Sequence, residues 1–215
     1  IKKKKIEEIE KKIKNKKFGL IKFDILTDQI KEKIRITKDD NVIILTAKVS
    51  PTWVYNNPKI SKDINVIKNK KIIDDLQSVE CKIFFMSSVE VFDGKNGNFD
   101  EISKPRPLNI YGKQKLLIEK YLQKKIKKYC IIRTSSIVEI DPEQRCPVKL
   151  TYDSLLEKNA RMAKDNFFSI TSVEDLCKSI CKILYNKKFK NIDICHLSSK
   201  EKIVDANKIV DINNL

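Results

Sequence analysis

Glycine is scarce in this 215-residue chain, which contains only Gly19, Gly94, Gly97 and Gly112. A loop that cradles phosphate groups needs several glycines close together, and these four cannot supply one. Long apolar runs are also missing: no stretch approaches the roughly 20 residues that cross a bilayer, and nothing resembles a signal peptide. We therefore predict no membrane partner, and no phosphate-binding glycine loop within the sequence.

Metal-ligating residues are sparse as well. His196 is the only histidine and falls in a predicted strand, so no histidine-based metal site can be assembled. The six cysteines are scattered without the spacing of a zinc site and are Cys81, Cys130, Cys146, Cys177, Cys181 and Cys195. We predict no metal and interpret the cysteines as buried, reduced thiols of a cytoplasmic protein. Cys177 and Cys181, four residues apart, are expected to share the buried face of a helix.

Arginine is also scarce, with five residues against forty lysines, although the net charge is +16. Proteins that read bases and phosphates favour arginine with interleaved aromatic residues. Here lysine is enriched together with isoleucine and asparagine, which indicates a coding bias spread over every surface. We therefore predict no nucleic-acid partner from the charge.

The apolar residues form alternating strand-like and helix-like segments. Strands are predicted at 18–25, 41–47, 81–88, 129–136 and 192–199, and helices at 1–16, 26–34 (with Thr27 as its N-cap), 58–79, 109–128 and 172–186, followed by a helical tail. The strands are apolar throughout, which is typical of a parallel sheet covered on both faces. With right-handed crossovers, the predicted fold class is α/β with a doubly wound parallel sheet. Ligands of such sheets bind at the carboxyl ends of the strands.

One short spacing, a tyrosine four residues before a lysine, occurs three times. The pairs are Tyr55/Lys59, Tyr111/Lys115 and Tyr121/Lys125. Because lysine is abundant, the spacing alone cannot distinguish a functional pair from chance. Pro58 interrupts the first pair, and the third lies deeper in its helix, away from the strand ends. Tyr111 lies near the start of a helix that follows the strand ending at Ser88, so it is the favoured candidate.

A hydroxyl, a phenol and an amine in this arrangement can transfer a proton. Tyr111 and Lys115 share one face of a helix, so the ammonium can lie near the phenol and favour the phenolate. That help is needed, because a free phenol with a pKa near 10 is a poor base at neutral pH. The Ser88 hydroxyl can hold the substrate oxygen that gains or loses the proton. We therefore predict a general acid/base centre formed by Ser88, Tyr111 and Lys115.

The segment that contains these residues, MSSVEVFDGKNGNFDEISKPRPLNIYGKQKLLIEKYL, resembles the signature region of the extended short-chain dehydrogenase/reductase family. This is the NAD-dependent epimerase/dehydratase group, and within it the segment is most similar to the dTDP-4-dehydrorhamnose reductases. The matching elements are Ser87-Ser88, Val91 to Gly94, Gly97 to Glu101, Pro107 to Lys115 and Arg133-Thr134-Ser135. The likeness extends over most of residues 18–200 and implies a Rossmann-like dinucleotide-binding fold.

The resemblance implies a role for each matching residue. Tyr111 would be the general acid/base, Ser88 its hydrogen-bonding partner, and Lys115 would tune Tyr111 and bind the nicotinamide ribose. The residues implied to contact an NAD or NADP cofactor are Asp24, Ile25, Thr46, Ala47, Lys48, Asn65, Tyr111, Lys115, Thr134 and Ser135. The implied reaction is the reduction of a 4-keto nucleotide sugar, as in dTDP-rhamnose biosynthesis for surface polysaccharides. The implied partner is therefore a nucleotide sugar, and the resemblance is compatible with a homodimer.

The sequence also departs from the family pattern. The family's glycine loop, first strand, first helix and second strand have no counterpart, so we expect an N-terminally incomplete dinucleotide-binding domain at 1–136. Residues 137–215 would form a small substrate-binding portion that also returns elements to the sheet. Val89 stands where the reductases have an aspartate and the dehydratases an acidic pair, and Glu90 replaces an aromatic residue.

Two alternatives stand beside the reductase hypothesis. A nucleotide-sugar epimerase of the same family would use the same residues with a tightly held NAD, and it would not consume NAD(P)H. The absent glycine loop and Val89 also permit a degenerate or truncated family member that serves as a non-catalytic binding or scaffold subunit.

Overall fold

The computed structural model describes residues 19–138, 156, 168–198 and 202–203. The predicted helix at 1–16, the predicted helical tail and Cys146 lie outside the described residues. The strands in chain order are β1 (Asn41–Ile44), β2 (Lys82–Ser88), β3 (Tyr129–Thr134), β4 (Ser136–Val138), β5 (Phe168–Ser172), β6 (Ile194–Leu197) and β7 (Lys202–Ile203). The central sheet has the order β1-β2-β3-β6, and every neighbouring pair in it is parallel. In the smaller sheet β4 is parallel to β5, which is antiparallel to β7.

Helices connect the strands of the central sheet. In chain order they are α1 (Ile30–Lys33), α2 (Pro51–Asn56), α3 (Pro58–Lys62), a π-helical segment (Asp63–Lys68), α4 (Asn69–Gln77), α5 (Ile110–Lys125) and α6 (Val173–Tyr185), with 3₁₀ turns at Val89–Val91 and Lys187–Phe189. Proline opens α2 and α3, where its missing N–H costs nothing because the first helical N–H groups have no partner anyway. Within the described part of the chain, no helix is both long enough and apolar enough to cross a membrane.

Two hydrophobic clusters cover the two faces of the central sheet. On one face alternate strand residues pack against α4 and α5, and this cluster includes Ile73, Ile83, Phe85, Ile118, Leu122 and Ile131. On the other face the intervening residues pack against α6, and this cluster includes Phe84, Cys130, Ile132, Leu176 and Ile183. Burial on both faces explains why β2 and β3 are apolar throughout. The predicted α/β class with a parallel, Rossmann-like sheet is therefore confirmed.

The prediction of a strand at 18–25 is wrong for residues 19–25. Residues 19–24 have no regular structure, and a turn follows at 25–27. Phe23 and Ile25 still pack against the core, so the apolar pattern correctly indicated burial. A strand also needs a hydrogen-bonded neighbour, and no residue in the described ranges forms a ladder with this segment. Thr27 is not the predicted helix cap: its N–H bonds the Asp24 carbonyl within the turn, and α1 begins only at Ile30.

Two further predictions needed correction. Strand β1 ends at Ile44 rather than at residue 47, because its ladder with β2 stops at the pair Ile44 and Phe85. Cys177 and Cys181 are exposed rather than buried, whereas Cys81, Cys130 and Cys195 are buried as predicted, and all five are free thiols. The buried stripe of α6 runs through Leu176 and Ile183, and the two cysteines lie on the adjacent, solvent-facing side of the helix.

Adjacent residues on α5 provide a test of this packing. Ile118 is fully buried against the sheet, whereas the neighbouring Leu117 is 46% exposed. Ile118→Ala should lower the free energy of unfolding by about 2–5 kcal/mol, because the truncation leaves a cavity. Leu117→Ala should lower it by less than about 1 kcal/mol. Urea-induced unfolding followed by circular dichroism measures both, and equal losses would contradict the orientation of α5.

Candidate active site

Asn109 attaches the start of α5 to the turn that follows β2. Its side-chain Oδ1 accepts a hydrogen bond from the Gly112 N–H at 2.7 Å, which caps the helix. Its Nδ2 donates to Glu90 Oε2 at 2.5 Å, in the 3₁₀ turn directly after Ser88. One asparagine therefore satisfies a free helix N–H and ties α5 to the end of β2.

Gly112 allows the helix to approach this turn closely. A β-carbon at residue 112 would lie 2.0 Å from the carbonyl oxygen of Glu90 and 3.0 Å from Cβ of Pro107. Any side chain here would push α5 away from the end of β2. The glycine of the Tyr-Gly pair is therefore required by space and not by backbone conformation.

Ser88, Tyr111 and Lys115 come together where β2 meets α5. Tyr111 and Lys115 are both buried, and Lys115 Nζ lies 5.8 Å from the centre of the Tyr111 ring. Lys115 Nζ donates to the Met86 carbonyl at 2.6 Å. Ser88 is half-buried at the last position of β2, where its hydroxyl accepts a hydrogen bond from the Glu90 N–H at 3.2 Å. The same hydroxyl lies close enough to the Tyr111 phenol to lower its pKa by hydrogen bonding. The predicted hydroxyl, phenol and amine thus occupy one corner of the sheet.

Burial controls the ionisation of this pair. It raises the pKa of Tyr111 to about 12, with Glu90 adding to the rise and the Ser88 hydroxyl opposing it. It lowers the pKa of Lys115 to about 8, with the Glu119 carboxylate opposing the change. The sequence predicts that Lys115 favours the phenolate of Tyr111. In the folded chain burial and Glu90 raise the pKa of Tyr111 and the Ser88 hydroxyl is the group that lowers it, so the phenol is protonated at neutral pH.

The other two Tyr-x-x-x-Lys pairs have different surroundings. Tyr55 lies on α2 and is 73% exposed. Tyr121 donates its phenolic hydrogen to Asp74 Oδ1 at 2.5 Å, between α5 and α4. Of the three tyrosines, Tyr111 is the buried one.

Strand β3 adds a hydroxyl to the same edge of the sheet. Thr134 pairs with Ser88 in the ladder between β2 and β3. Its Oγ1 is buried and has no hydrogen-bond partner among the described residues. Ser135 differs, because its hydroxyl shares a hydrogen bond of 2.8 Å with Thr171 on β5. Thr134 Oγ1 is thus a buried hydroxyl without a partner in the described part of the chain, whereas the Ser135 hydroxyl is engaged with β5.

The predicted cofactor residues after β1 are held by Asn65. The Asn65 side chain accepts from the Lys48 N–H at 2.8 Å and donates to the Lys48 carbonyl at 3.0 Å. It also donates to Gln114 Oε1 at 2.8 Å, which in turn connects to Ser61. Its amide therefore positions the segment containing Thr46, Ala47 and Lys48 instead of pointing to open space.

The remaining predicted cofactor residues lie apart from this corner. Asp24 is exposed, and its carboxylate accepts from the Leu26 N–H at 2.9 Å within the turn. Ile25 packs against the core beside it. Lys48 is exposed as well, with Nζ 5.2 Å from the centre of the Trp53 ring. The structure therefore places the predicted residues in two groups: a buried one at β2, β3 and α5, and a peripheral one near β1.

Four residues that shape the site are given no role in it by the sequence. They are Glu90, Asn109, Gly112 and Glu119. The cap could have been found from an asparagine three residues before a glycine at a helix start. Glu119 could have been found from its position one helical turn after Lys115. Glu90 stands out in the sequence only as a departure from the family pattern, because its contact with Asn109 arises only through folding.

The inner corner contains polar groups that can hold part of a dinucleotide. They are the Tyr111 phenol, the Lys115 ammonium and the Thr134 hydroxyl, which has no partner among the described residues, and they lie at the carboxyl edge, where doubly wound sheets bind ligands. The chain contains no glycine-rich loop for the pyrophosphate. Among the described residues, no cluster of three or more His, Cys, Asp or Glu side chains is arranged to hold a metal ion.

Sequence comparisons relate the chain to known proteins. A family model described as RmlD substrate binding domain matches residues 10–211. Methionine adenosyltransferase 2 subunit beta of Bos taurus is 26% identical over 183 residues, covering 81% of this chain and 54% of that protein. The dTDP-4-dehydrorhamnose reductase of Escherichia coli strain K12 is 30% identical over 108 residues, covering 49% of this chain and 36% of that enzyme. The chain thus spans about half the length of the subunit beta relatives.

Solved structures with the same fold include two reductases. The dTDP-4-dehydrorhamnose reductase of Clostridium acetobutylicum has a TM-score of 0.76 and 25% identity, covering 97% of this chain and 75% of that one. The Bacillus anthracis reductase, solved in complex with NADP, has a TM-score of 0.69 and 25% identity, covering 81% and 62%. The UDP-N-acetylglucosamine 4-epimerase of Methanobrevibacter ruminantium has a TM-score of 0.75, covering 89% and 64%, but its 17% identity shows a shared fold alone.

Gly112 gives a direct test of the corner between α5 and β2. Gly112→Ala should lower the unfolding free energy by about 2 kcal/mol or more, because the added methyl overlaps backbone that cannot easily move. Gly19→Ala is the matched control, since a β-carbon there meets nothing within 4 Å. Thermal and urea unfolding measure both. An unaffected Gly112→Ala variant would show that the close approach is not required.

Lys115 predicts a pH dependence of stability. Its pKa is lowered from an ordinary 10.5 to about 8, so between these values the unfolded chain binds more protons than the folded chain. The wild-type protein should therefore gain about 3 kcal/mol of stability from Lys115 as pH rises from 8 to 10.5, and lose it as pH falls. Lys115→Met lacks this contribution. Urea titrations of both proteins across this range measure the difference, and a constant difference would contradict the burial of the ammonium.

Proposed function

The chain belongs to the RmlD substrate binding domain family of extended short-chain dehydrogenase/reductases, and from this premise we propose that it is part of an NAD(P)-dependent oxidoreductase that reduces a 4-keto nucleotide sugar. Its substrate would be the 4-keto precursor of a deoxysugar such as dTDP-rhamnose. The pathway would be the synthesis of sugars for surface polysaccharides, in the cytoplasm.

The observation that carries this proposal is the buried Tyr111–Lys115 pair beside Ser88. The three groups lie at the carboxyl edge of a parallel sheet, next to Thr134, whose hydroxyl has no partner within the residues that the structure describes. An oxidoreductase would use a phenol at this position to donate a proton to the oxygen of the substrate carbonyl while the carbonyl carbon is reduced. Both solved reductases described above share the fold at 25% identity, and one of them binds NADP.

The Tyr111 phenol carries its proton at neutral pH, as a general acid must. Its pKa of about 12 makes it a weaker acid than a free phenol, so donation depends on groups that stabilise the phenolate. Ser88 would hydrogen-bond the keto oxygen and orient it towards Tyr111. The lowered pKa of Lys115, about 8, leaves it mostly protonated at pH 7, so its ammonium can stabilise the phenolate formed after donation. The bound nicotinamide would supply the hydride to the keto carbon.

The buried and the peripheral group of residues would contact different parts of the cofactor. Tyr111, Lys115 and Thr134 would hold the nicotinamide and its ribose. Asn65 would act indirectly, by positioning Thr46, Ala47 and Lys48 along the cofactor's path, and Ser135 would support β5 beside it. Asp24 and Ile25 would meet the adenine end.

Three wider features belong to the same proposal. The match covers only 54% of the subunit beta relative, so the complete activity is assigned to the whole protein. Residues 1–136 would contribute the cofactor-binding domain, and residues 137–215 the substrate-binding portion. The whole protein would act on nucleotide sugars, without nucleic acid or membrane, and would form a homodimer.

A second candidate function is supported by the extent of another match. Methionine adenosyltransferase 2 subunit beta aligns with 81% of this chain, against 49% for the Escherichia coli reductase. As this alternative, the protein would be a subunit that binds a methionine adenosyltransferase and uses the Tyr111 corner to bind a dinucleotide without turnover. Val89, which replaces the acidic residue of the reductases, supports this alternative.

Replacing Tyr111 tests the catalytic proposal. In the full-length protein, Tyr111→Phe should reduce NADPH oxidation with a 4-keto nucleotide sugar by roughly 10²–10⁴-fold, the usual contribution of a general acid. The NADPH dissociation constant should change little, because the ring remains. Tyr55→Phe is the control, since Tyr55 is also four residues before a lysine but is exposed. Retained turnover in Tyr111→Phe would remove Tyr111 from the mechanism.

The same assay separates the alternatives. An epimerase would convert the sugar without net consumption of NAD(P)H. A subunit would show no turnover in the wild-type protein, while binding NADPH and co-eluting with the methionine adenosyltransferase of the same genome in size-exclusion chromatography.

A further inference from the structure

A buried charged cluster lies directly behind the Tyr111–Lys115 pair. It consists of Ser87 on β2, Glu119 on α5 and Arg133 on β3, and we call it the carboxylate cluster. Ser87 Oγ donates to Glu119 Oε1 at 2.5 Å. Arg133 donates to both carboxylate oxygens, from Nη2 to Oε2 at 2.7 Å and from Nε to Oε1 at 3.1 Å. All three side chains are at least nine-tenths buried.

The cluster connects the elements that build the site. Ser87 and Arg133 are paired in the ladder between β2 and β3, and Glu119 reaches both of them from α5. Glu119 lies one helical turn after Lys115, which itself bonds the Met86 carbonyl. Two successive residues at the end of β2 are therefore bonded to two successive turns of α5. These two attachments fix the position of α5 along the direction of β2.

Stability alone does not explain such a cluster. Removing two charges from water costs several kcal/mol per ion, and apolar residues of similar volume often support a fold equally well. The remainder of the contact between α5 and the sheet is apolar, through residues such as Ile118 and Leu122. The charged residues stand only where α5 passes the end of β2, directly beside Lys115.

We propose that Glu119 is a positioning residue, which holds α5 against the end of β2 and so fixes Lys115 beside Tyr111. This inference rests on the proposed function, because it assigns Glu119 a role through the acid/base pair. Arg133 holds the Glu119 carboxylate in place with two parallel hydrogen bonds, the arrangement that fixes a carboxylate most firmly. The Glu119 carboxylate thereby keeps a fixed position one helical turn from Lys115.

The charged and titratable groups around the site come from each packed element. On α5 Lys115 faces Glu119 and Tyr111, and from the turn after β2 Glu90 acts on Tyr111. Behind Arg133, on β6, His196 Nε2 lies 3.4 Å from Nη1. The backbone N–H of His196 donates to Glu101 Oε1 at 2.8 Å, from the loop before α5. Of these groups Glu119 is the anion that opposes the effect of burial on Lys115.

The test removes the charge of Glu119 while keeping the interior neutral. In the double variant E119Q/R133M the carboxylate becomes an amide of the same shape and the arginine an apolar side chain. Should this variant fail to fold by circular dichroism, E119Q/R133Q, which also leaves no unpaired buried charge, is read in the same way. Glu119→Asp keeps the charge on a shorter side chain. Glu174→Gln, in the exposed ion pair of Glu174 with Lys178 on α6, is the control for loss of a carboxylate.

The readout is the pKa of Lys115, measured from the ¹³C shift of its ε-carbon and assigned with Lys115→Met. It needs neither cofactor nor substrate. In E119Q/R133M the pKa should fall below the wild-type value by about one unit, a tenfold change in the ratio of ammonium to amine. Glu119→Asp should restore most of the wild-type value, and Glu174→Gln should leave it unchanged. In an active full-length protein, the pH profile of kcat should move in the same direction.

A purely structural cluster would give a different result. In that case E119Q/R133M and Glu119→Asp would change the free energy of unfolding while Lys115 titrated as in the wild-type protein, and the proposal would be overturned. Failure of the proposed function is recognised separately. A wild-type protein that neither oxidises NADPH nor binds it would refute the oxidoreductase, whereas the titration of Lys115 would still decide the role of Glu119.

Discussion

The close approach of helix α5 to the end of strand β2 is the constraint on which the rest of the site depends. Gly112 permits it, since a β-carbon there would overlap the carbonyl of Glu90. The approach places Tyr111 and Lys115 beside the last residues of β2 and buries both side chains. Burial then raises the pKa of the phenol and lowers that of the amine. One steric requirement thus determines position, solvent exclusion and proton affinity together.

Buried polar side chains flank this corner on two sides. The Asn65 side chain bonds Gln114 and the backbone of Lys48, which holds the segment after β1. The Glu119 carboxylate bonds Ser87 on β2 and Arg133 on β3. Buried polar networks are stable only when their members are satisfied, and they then favour a single arrangement. Such networks at one edge of an otherwise apolar sheet concentrate structural precision where a ligand would bind.

The surroundings of Tyr111 also bear on the choice between functions. The relatives include a reductase and a subunit of a methionine adenosyltransferase, so family membership leaves the reaction to the site. Glu90, which stands in place of the aromatic residue of the reductases, adds a negative charge that favours the neutral phenol. A neutral phenol suits proton donation to a reduced carbonyl. Val89, next to Glu90, stands in place of an acidic residue of the reductases, and its loss favours binding without turnover.

The sequence by itself determined the parallel sheet, because strands that are buried on both faces, such as β2 and β3, are continuous runs of apolar residues. It also singled out Tyr111, from its place after a strand end. Only the tertiary structure decided that residues 19–25 are not a strand, since a strand depends on a neighbour and not on its own residues. The same holds for the hydrogen bond between Asn65 and Gln114, because these two residues are 49 positions apart and meet only after folding. Apolar periodicity reports burial, whereas polar partners and ionisation are set by contacts that no local pattern encodes.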